Sequence, residues 1–64
     1  MKTLQEFIKR YFKGEYLMVY EQDGNNCELL TPDFVKRCNY NEDDIINITY
    51  EKHFDCITIY VRKK

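Results

Sequence analysis

The chain has little of what catalysis usually requires. Its 64 residues include one histidine, two glycines, one proline and no tryptophan. A nucleophilic side chain needs a neighbouring base and an orienting group, whereas His53 falls in a predicted turn, where an exposed histidine is the ordinary outcome. No glycine-rich phosphate loop occurs, and the acids Glu42-Asp43-Asp44 are adjacent rather than facing each other across a cleft. The sequence therefore predicts a protein that is not an enzyme, with no catalytic and no cofactor-binding residues.

Cysteine is scarce and irregularly spaced. Cys27, Cys38 and Cys56, together with His53, are ligand types that zinc accepts, but no C-x-x-C pair occurs in the sequence. Free cysteines are also common as small buried apolar residues. Met1-Lys2-Thr3 leads directly into an amphipathic pattern. We therefore expect a cytoplasmic protein with free thiols, no metal and no cofactor.

Long apolar runs and a strong net charge are also missing. No run approaches the roughly 18 residues of a membrane span, so no membrane contact is expected. A formal net charge of -1 provides little attraction to nucleic acid. The charges are nevertheless unevenly distributed: the segment 1–13 and the tail Arg62-Lys63-Lys64 are basic, whereas the segments 14–34 and 42–55 are acidic. Acidic segments either improve solubility or meet a basic partner.

The hydrophobic pattern predicts one domain over residues 1–64. Apolar residues at helical spacing predict a helix over 3–13, with Thr3 and Glu6 as a capping box: Leu4, Phe7, Ile8, Tyr11 and Phe12. Strands are predicted over 15–22 and 27–30, joined by a turn at Asp23-Gly24-Asn25-Asn26, and over 44–51 and 54–62, joined at Lys52-His53. Thr31-Pro32 begins a short helix over 32–38. The predicted fold is α+β, a two-layer α-β-β-α-β-β domain whose four-stranded antiparallel sheet has two helices on one face.

Both hairpins carry apolar residues on both faces. One face is aliphatic, with Ile48 placed opposite Ile57 and Ile46 opposite Ile59: Leu17, Val19, Leu30, Ile46, Ile48, Ile57, Ile59 and Val61. The other is aromatic and mixed: Tyr16, Met18, Tyr20, Leu29, Ile45, Cys56 and Tyr60. We place the aliphatic face beneath the helices, because tyrosine tolerates a half-wet position. The reverse orientation of the first hairpin stays open, because Glu15, Glu21 and Glu28 share the parity of the aliphatic face.

An aromatic face that no helix covers predicts a protein partner. The predicted interface combines the exposed aromatic face with the acidic segments: Tyr16, Met18, Tyr20, Tyr60, Glu21, Glu28, Glu42, Asp43 and Asp44. The partner is either a separate target or a second copy, in which case the homodimer forms through sheet packing or edge strands. Alternatively, the tyrosines simply follow strand propensity and stand singly on the surface.

In size, charge layout and lack of chemistry, the chain resembles small phage-encoded inhibitors, including anti-CRISPR proteins, although no single residue carries the likeness. The resemblance implies an inhibitor that binds and blocks a larger protein, such as one that handles nucleic acid. The alternative is a small nucleic-acid-binding regulator that uses the basic N-terminal helix and the C-terminal tail, with Lys9, Arg10 and Lys13 as phosphate contacts.

Overall fold

The chain folds into two layers, a sheet and a pair of helices on one of its faces. The computed structural model describes residues 2–37 and 39–63. Over these residues the elements are α1 (Leu4–Tyr11), β1 (Tyr16–Asp23), β2 (Asn26–Leu30), α2 (Pro32–Arg37), a 3-10 helix (Glu42–Asp44), β3 (Ile45–Glu51) and β4 (Cys56–Arg62). The α+β class and the order of the predicted helices and strands are confirmed. Residue 38, the predicted end of the second helix, lies outside the described residues.

The strands form a mixed sheet with the order β2-β1-β4-β3. Each hairpin is antiparallel, but β1 and β4 lie side by side in parallel, with Val19 opposite Ile59. The prediction of an entirely antiparallel sheet is therefore wrong for the central pair of strands, β1 and β4. The connection through α2 leaves β2 at one edge of the sheet and enters β3 at the other edge. This crossover brings β4 beside β1 in the same direction, which a tight turn cannot do.

The helices pack on the aliphatic face, which we call the inner face, but they leave β3 largely uncovered, so that Ile48 is 39% exposed. The buried core comprises residues from every layer: Leu4, Val19, Val35, Tyr40, Ile57, Ile59 and Val61. Val19 is 3% exposed, whereas Tyr16 is 76% exposed. The predicted orientation of the first hairpin is therefore confirmed and the inverted one is excluded.

Glu21, one of the three acids that favoured the reverse orientation, has a hydrogen-bond partner in the core. The buried Tyr40 hydroxyl donates a hydrogen bond to the carboxylate of Glu21. A buried hydroxyl and a half-buried carboxylate thus satisfy each other, which removes the cost of leaving either one without a partner. Tyr40 was not among the predicted core residues, because it lies in a loop with no periodic pattern.

A β-bulge in β3 reverses the predicted orientations of Ile45 and Ile46 relative to the core. The register shifts between Ile45 and Asn47, so that Ile45 faces Val61 and packs against the core. Ile46, predicted to be internal, is 49% exposed. The bulge adds one residue to β3, and a one-residue shift moves every earlier side chain to the other face.

The second hairpin turn is longer than predicted and spans residues 52–55. Ile48 therefore faces Ile59 rather than Ile57. Because the turn grows by an even number of residues, the predicted sorting of β3 from Asn47 onward is preserved.

Helix α1 begins as predicted and ends early. Thr3 Oγ1 accepts from the Glu6 N–H at 3.2 Å, and Glu6 Oε1 accepts from the Thr3 N–H at 3.3 Å, which confirms the capping box. Phe12 is already extended, so Gly14, with a φ of 95°, lies in the bend before β1. Tyr11, predicted to be on the buried stripe, is 57% exposed. Tyr11 therefore adds little to the core, whereas Ile8, one turn earlier, packs against it.

Candidate functional site

The face of the sheet opposite the helices is the outer face, and no helix within residues 2–37 and 39–63 packs on it. Its strand residues alternate with the buried ones: Tyr16, Met18, Tyr20 and Gln22 in β1, Cys27 and Leu29 in β2, Asn47, Thr49 and Glu51 in β3, and Cys56, Thr58, Tyr60 and Arg62 in β4. Tyr16 is 76% exposed and Leu29 is 52% exposed. All of the tyrosines predicted for the interface therefore lie on one surface.

Two of these tyrosines form a preorganised pair. Tyr20 and Tyr60 are direct neighbours across the parallel strands β1 and β4. Their rings stack with centroids 5.7 Å apart and an angle of 21° between the planes. Aromatic pairs of this kind contribute about 0.5–1.5 kcal/mol beyond the burial of area. Stacking fixes the rings before any partner arrives, so little side-chain entropy is lost on binding.

A hollow lies at the opposite end of the outer face. It has a volume of about 470 Å³ and is lined by Tyr16, Leu17, Met18, Glu51, Phe54 and Cys56. Phe54, in the turn between β3 and β4, is 74% exposed. Because the lining is almost entirely apolar, the hollow suits an apolar or aromatic side chain better than a polar substrate. Sequence reasoning missed Phe54, although its parity with Cys56 and Tyr60 in the predicted strand was a signal that could have placed it on this face.

Two of the predicted interface acids lie on the other side of the sheet. Glu21 and Glu28 pair directly across β1 and β2 and have inner-face parity. With Asp23, Asn26, Cys27 and Lys63 they line a polar hollow of about 290 Å³. Lys63 Nζ lies 3.9 Å from Asp23 Oδ2, and both side chains are exposed. The structure therefore does not combine these acids and the tyrosines into one flat surface.

The acidic run before β3 forms the 3-10 helix, whose ends are held by capping hydrogen bonds. Asn41 Oδ1 accepts from the Asp43 N–H, and Asp44 Oδ2 accepts from the Asn41 N–H, each at 3.0 Å. The Asp43 carbonyl also accepts from Arg62 Nη2 at 3.3 Å. Within the run, Asp43 is exposed while Glu42 and Asp44 are partly buried. Asp43 is therefore the member of this run best placed to meet a partner.

The potential nucleophiles and metal ligands remain apart. His53 is exposed, and its backbone N–H donates to Glu51 Oε1 at 3.0 Å. Cys27 and Cys56 are free thiols in β2 and β4. Within the described residues, which do not include Cys38, histidines, cysteines and acids form no group of three or more that is suited to a metal ion. Over the same residues, no helix has the length and apolar character needed to cross a membrane.

A second apolar hollow lies on the inner face, where the helices leave the first hairpin partly uncovered. It has a volume of about 500 Å³, and its lining includes Ile8, Leu30, Val35 and Lys36. It exists because α2 spans Pro32–Arg37, which is too short to cover both β1 and β2. We had not predicted this hollow.

Comparison with protein-family models, curated proteins and solved structures found no match. The outer face is therefore the feature of the molecule from which a function is inferred.

Proposed function

We propose that the protein is a non-enzymatic interaction module that docks onto a protein partner through its outer face. The observation that carries this proposal is the uncovered aromatic surface formed by Tyr16, the Tyr20–Tyr60 stack and Phe54. Aromatic residues and methionine are enriched at the buried centres of protein interfaces, where charged residues are depleted. Large rings that are already ordered bind with a low entropic cost.

The mode of action that we propose is inhibition, in which the bound module blocks a larger protein such as one that handles nucleic acid. Glu21 and Glu28 lie on the inner face and Asp43 lies in the 3-10 helix before β3, so none of these acids is part of the outer face. From these positions they would steer a basic partner toward docking and change the association rate more than the final affinity. We place this action in the cytoplasm, where Cys27 and Cys56 would remain reduced.

A comparative pull-down tests the use of the outer face. Wild type and a Tyr16→Ser/Tyr20→Ser variant are used as bait in lysate from the source cells. The matched control is Tyr11→Ser/Phe34→Ser, which removes two rings of 57% and 43% exposure on the helices. We expect the outer-face variant to lose a partner that wild type and the control retain, with circular dichroism showing that all three baits are folded. Equal recovery of every protein by the three baits would contradict the proposal.

The second candidate is nucleic-acid binding, which one observation favours. The Arg10 guanidinium lies 5.9 Å from the centroid of the exposed Tyr11 ring, so α1 presents a basic and aromatic surface. However, Lys13 lies just before β1, whereas the Lys63 backbone N–H donates to the carbonyl of Gln22 at the far end of that strand. These basic groups are thus about 20 Å apart along β1. A steep loss of DNA or RNA affinity with added salt would favour this candidate over the first.

A further inference from the structure

We propose that the outer face is covered by a second copy of this chain, in a twofold dimer that packs sheet against sheet. The inference rests on the proposed function, because it concerns the same face: a second copy covers the face in the free protein, and the larger target displaces it on docking. It is drawn from three properties of the face: its charge pattern, its shape and its size.

The charges of the outer face lie at its opposite ends. Among the described strand residues of this face, those charged at neutral pH are Glu51 and Arg62. Glu51 pairs with Cys56, the first residue of β4, whereas Arg62 is the last residue of that strand. At about 3.3 Å per residue, the two charges are roughly 20 Å apart. They therefore cannot pair within one copy, where Glu51 Oε1 accepts from the His53 N–H and Arg62 Nη2 donates to the Asp43 carbonyl, backbone contacts that supply neither side chain with an opposite charge.

A twofold axis brings these charges together between copies. The axis lies midway between the two sheets, parallel to them and perpendicular to the strands, so it turns the outer faces toward each other and reverses the strand direction. Glu51 of each copy then lies across from Arg62 of the other, and symmetry makes the contact twice. Packed sheets are about 10 Å apart, a gap that glutamate and arginine side chains can span together. Strand directions within about 30° are usual for such packing.

The shape of the outer face also suits a twofold dimer, because its two ends differ. The Tyr20–Tyr60 stack is near the Arg62 end, and the hollow beside Phe54 is near the Glu51 end. With Glu51 across from Arg62, reversal of the strand direction places the ring stack of each copy opposite Met18 and Thr58 of the other, beside the hollow. The centre of the contact, around Met18 and Thr58, is uncharged. The inner-face acids Glu21 and Glu28 remain outside the contact, so like charges do not meet across the axis.

The area of the outer face determines how tightly two copies are expected to bind. Four strands about 4.8 Å apart and seven residues long cover roughly 19 Å by 23 Å, or about 440 Å² per copy. A standard interface buries about 800 Å² per partner, and weak encounters fall below about 600 Å². We therefore expect a reversible dimer with a dissociation constant in the micromolar range.

Charge reversal with rescue tests the dimer. Sedimentation equilibrium is measured for wild type, Glu51→Arg, Arg62→Glu and the Glu51→Arg/Arg62→Glu double variant. Each single change places like charges together twice, so we expect about tenfold weaker dimerisation or more. The double variant restores opposite charges across the axis and should return to within about threefold of wild type. Since the two positions are far apart within one copy, a rescue reports a contact between copies.

A matched control carries the same charge changes away from the outer face. Glu28→Arg/Arg10→Glu alters the inner side of the first hairpin and α1, and we expect it to dimerise like wild type. A Met18→Lys variant buries a charge at the centre of the contact and should be monomeric. Circular dichroism checks that every variant is folded.

The dimer is overturned if wild type is monomeric at millimolar concentration, if folded Met18→Lys still dimerises, or if the double variant is as weak as the single ones. If wild type is monomeric but the Tyr16→Ser/Tyr20→Ser variant loses a host partner in the pull-down, only the dimer is overturned. If wild type is monomeric and the variant recovers every partner, the proposed function is overturned as well.

Discussion

At the scale of single residues, the contact between Tyr40 and Glu21 shows how an acid is accommodated beside an aliphatic core. Tyr40 is 4% exposed, and its hydroxyl donates to the Glu21 carboxylate. Glu21 has inner-face parity, which on its own argues for turning the first hairpin over. The partner that resolves this conflict comes from a loop nineteen residues later in the chain. A pattern of residue types in the strands alone contains no information about it.

Removing this hydroxyl should destabilise the fold without changing its core volume. Hydrogen bonds to charged groups contribute about 1.5–3 kcal/mol, so we expect Tyr40→Phe to lower the free energy of unfolding by about 2 kcal/mol. Denaturant titration followed by circular dichroism measures the change. Tyr11→Phe removes the same atom at a site that is 57% exposed, and should cost less than about 0.5 kcal/mol. Equal effects of the two substitutions would show that the Tyr40 contact does not stabilise the fold.

At the scale of elements, the start of α1 was predictable because it is built from neighbours in the sequence. The capping box needs Thr3 and Glu6 alone, at a spacing of three residues. In the folded chain the pKa of Glu6 is lowered from 4.5, chiefly by the hydrogen bond from the Thr3 backbone, then by the Thr3 hydroxyl and the charge of Lys2. A lowered pKa means that the ionised carboxylate favours the folded state. Its contribution is full above pH 4.5 and is lost as the pH falls through the lowered value.

This linkage predicts a pH-dependent effect of Glu6→Gln. The substitution should lower the melting temperature at neutral pH, and the difference from wild type should close as the solution is acidified below pH 4.5. Thermal unfolding at a series of pH values measures it. Thr3→Ala removes the cap at every pH, costs about 1 kcal/mol and should keep a difference in acid. A Glu6→Gln difference that persists unchanged in acid would argue against a role for the charge.

Among the elements, the turn at Gly24 could be predicted from the sequence, whereas the bulge in β3 could not. The turn at Gly24 follows from local chemistry, since this residue adopts a φ of 62°. The bulge in β3 does not, because the segment from Ile45 to Ile48 offers apolar residues at adjacent positions, and either of the first two can face the core. Pairing with Val61 of β4 decides between them.

At the scale of the whole molecule, β4 holds the structure together, since it pairs with β1 on one side and β3 on the other. Ile59, at its centre, is fully buried, whereas Ile46 on β3 is 49% exposed. Small domains have only a few kcal/mol of stability, so every buried residue of β4 contributes a large share of it.

This difference predicts a sharp contrast between two identical substitutions. Ile59→Ala should cost about 2–5 kcal/mol and leave the chain largely unfolded at room temperature. Ile46→Ala, at an exposed position, should change stability by no more than about 0.5 kcal/mol. Far-ultraviolet circular dichroism with denaturant titration distinguishes them. Comparable losses at the two positions would contradict the observed bulge, which places Ile46 outside the core.

The sequence by itself determined the features that depend on near neighbours: the α+β class, the order of elements, the cap of α1 and the aliphatic and aromatic faces of β1, β2 and β4. It also singled out Tyr16, Met18, Tyr20 and Tyr60 as one surface, because side chains in a strand alternate with a period of two. Only the tertiary structure decided the parallel pairing of β1 with β4, the bulge, the partner of Glu21 and the hollow beside Phe54. These features arise from contacts between segments far apart in the chain, whose closure depends on how the α2 crossover packs on the sheet, and local periodicity does not encode that choice.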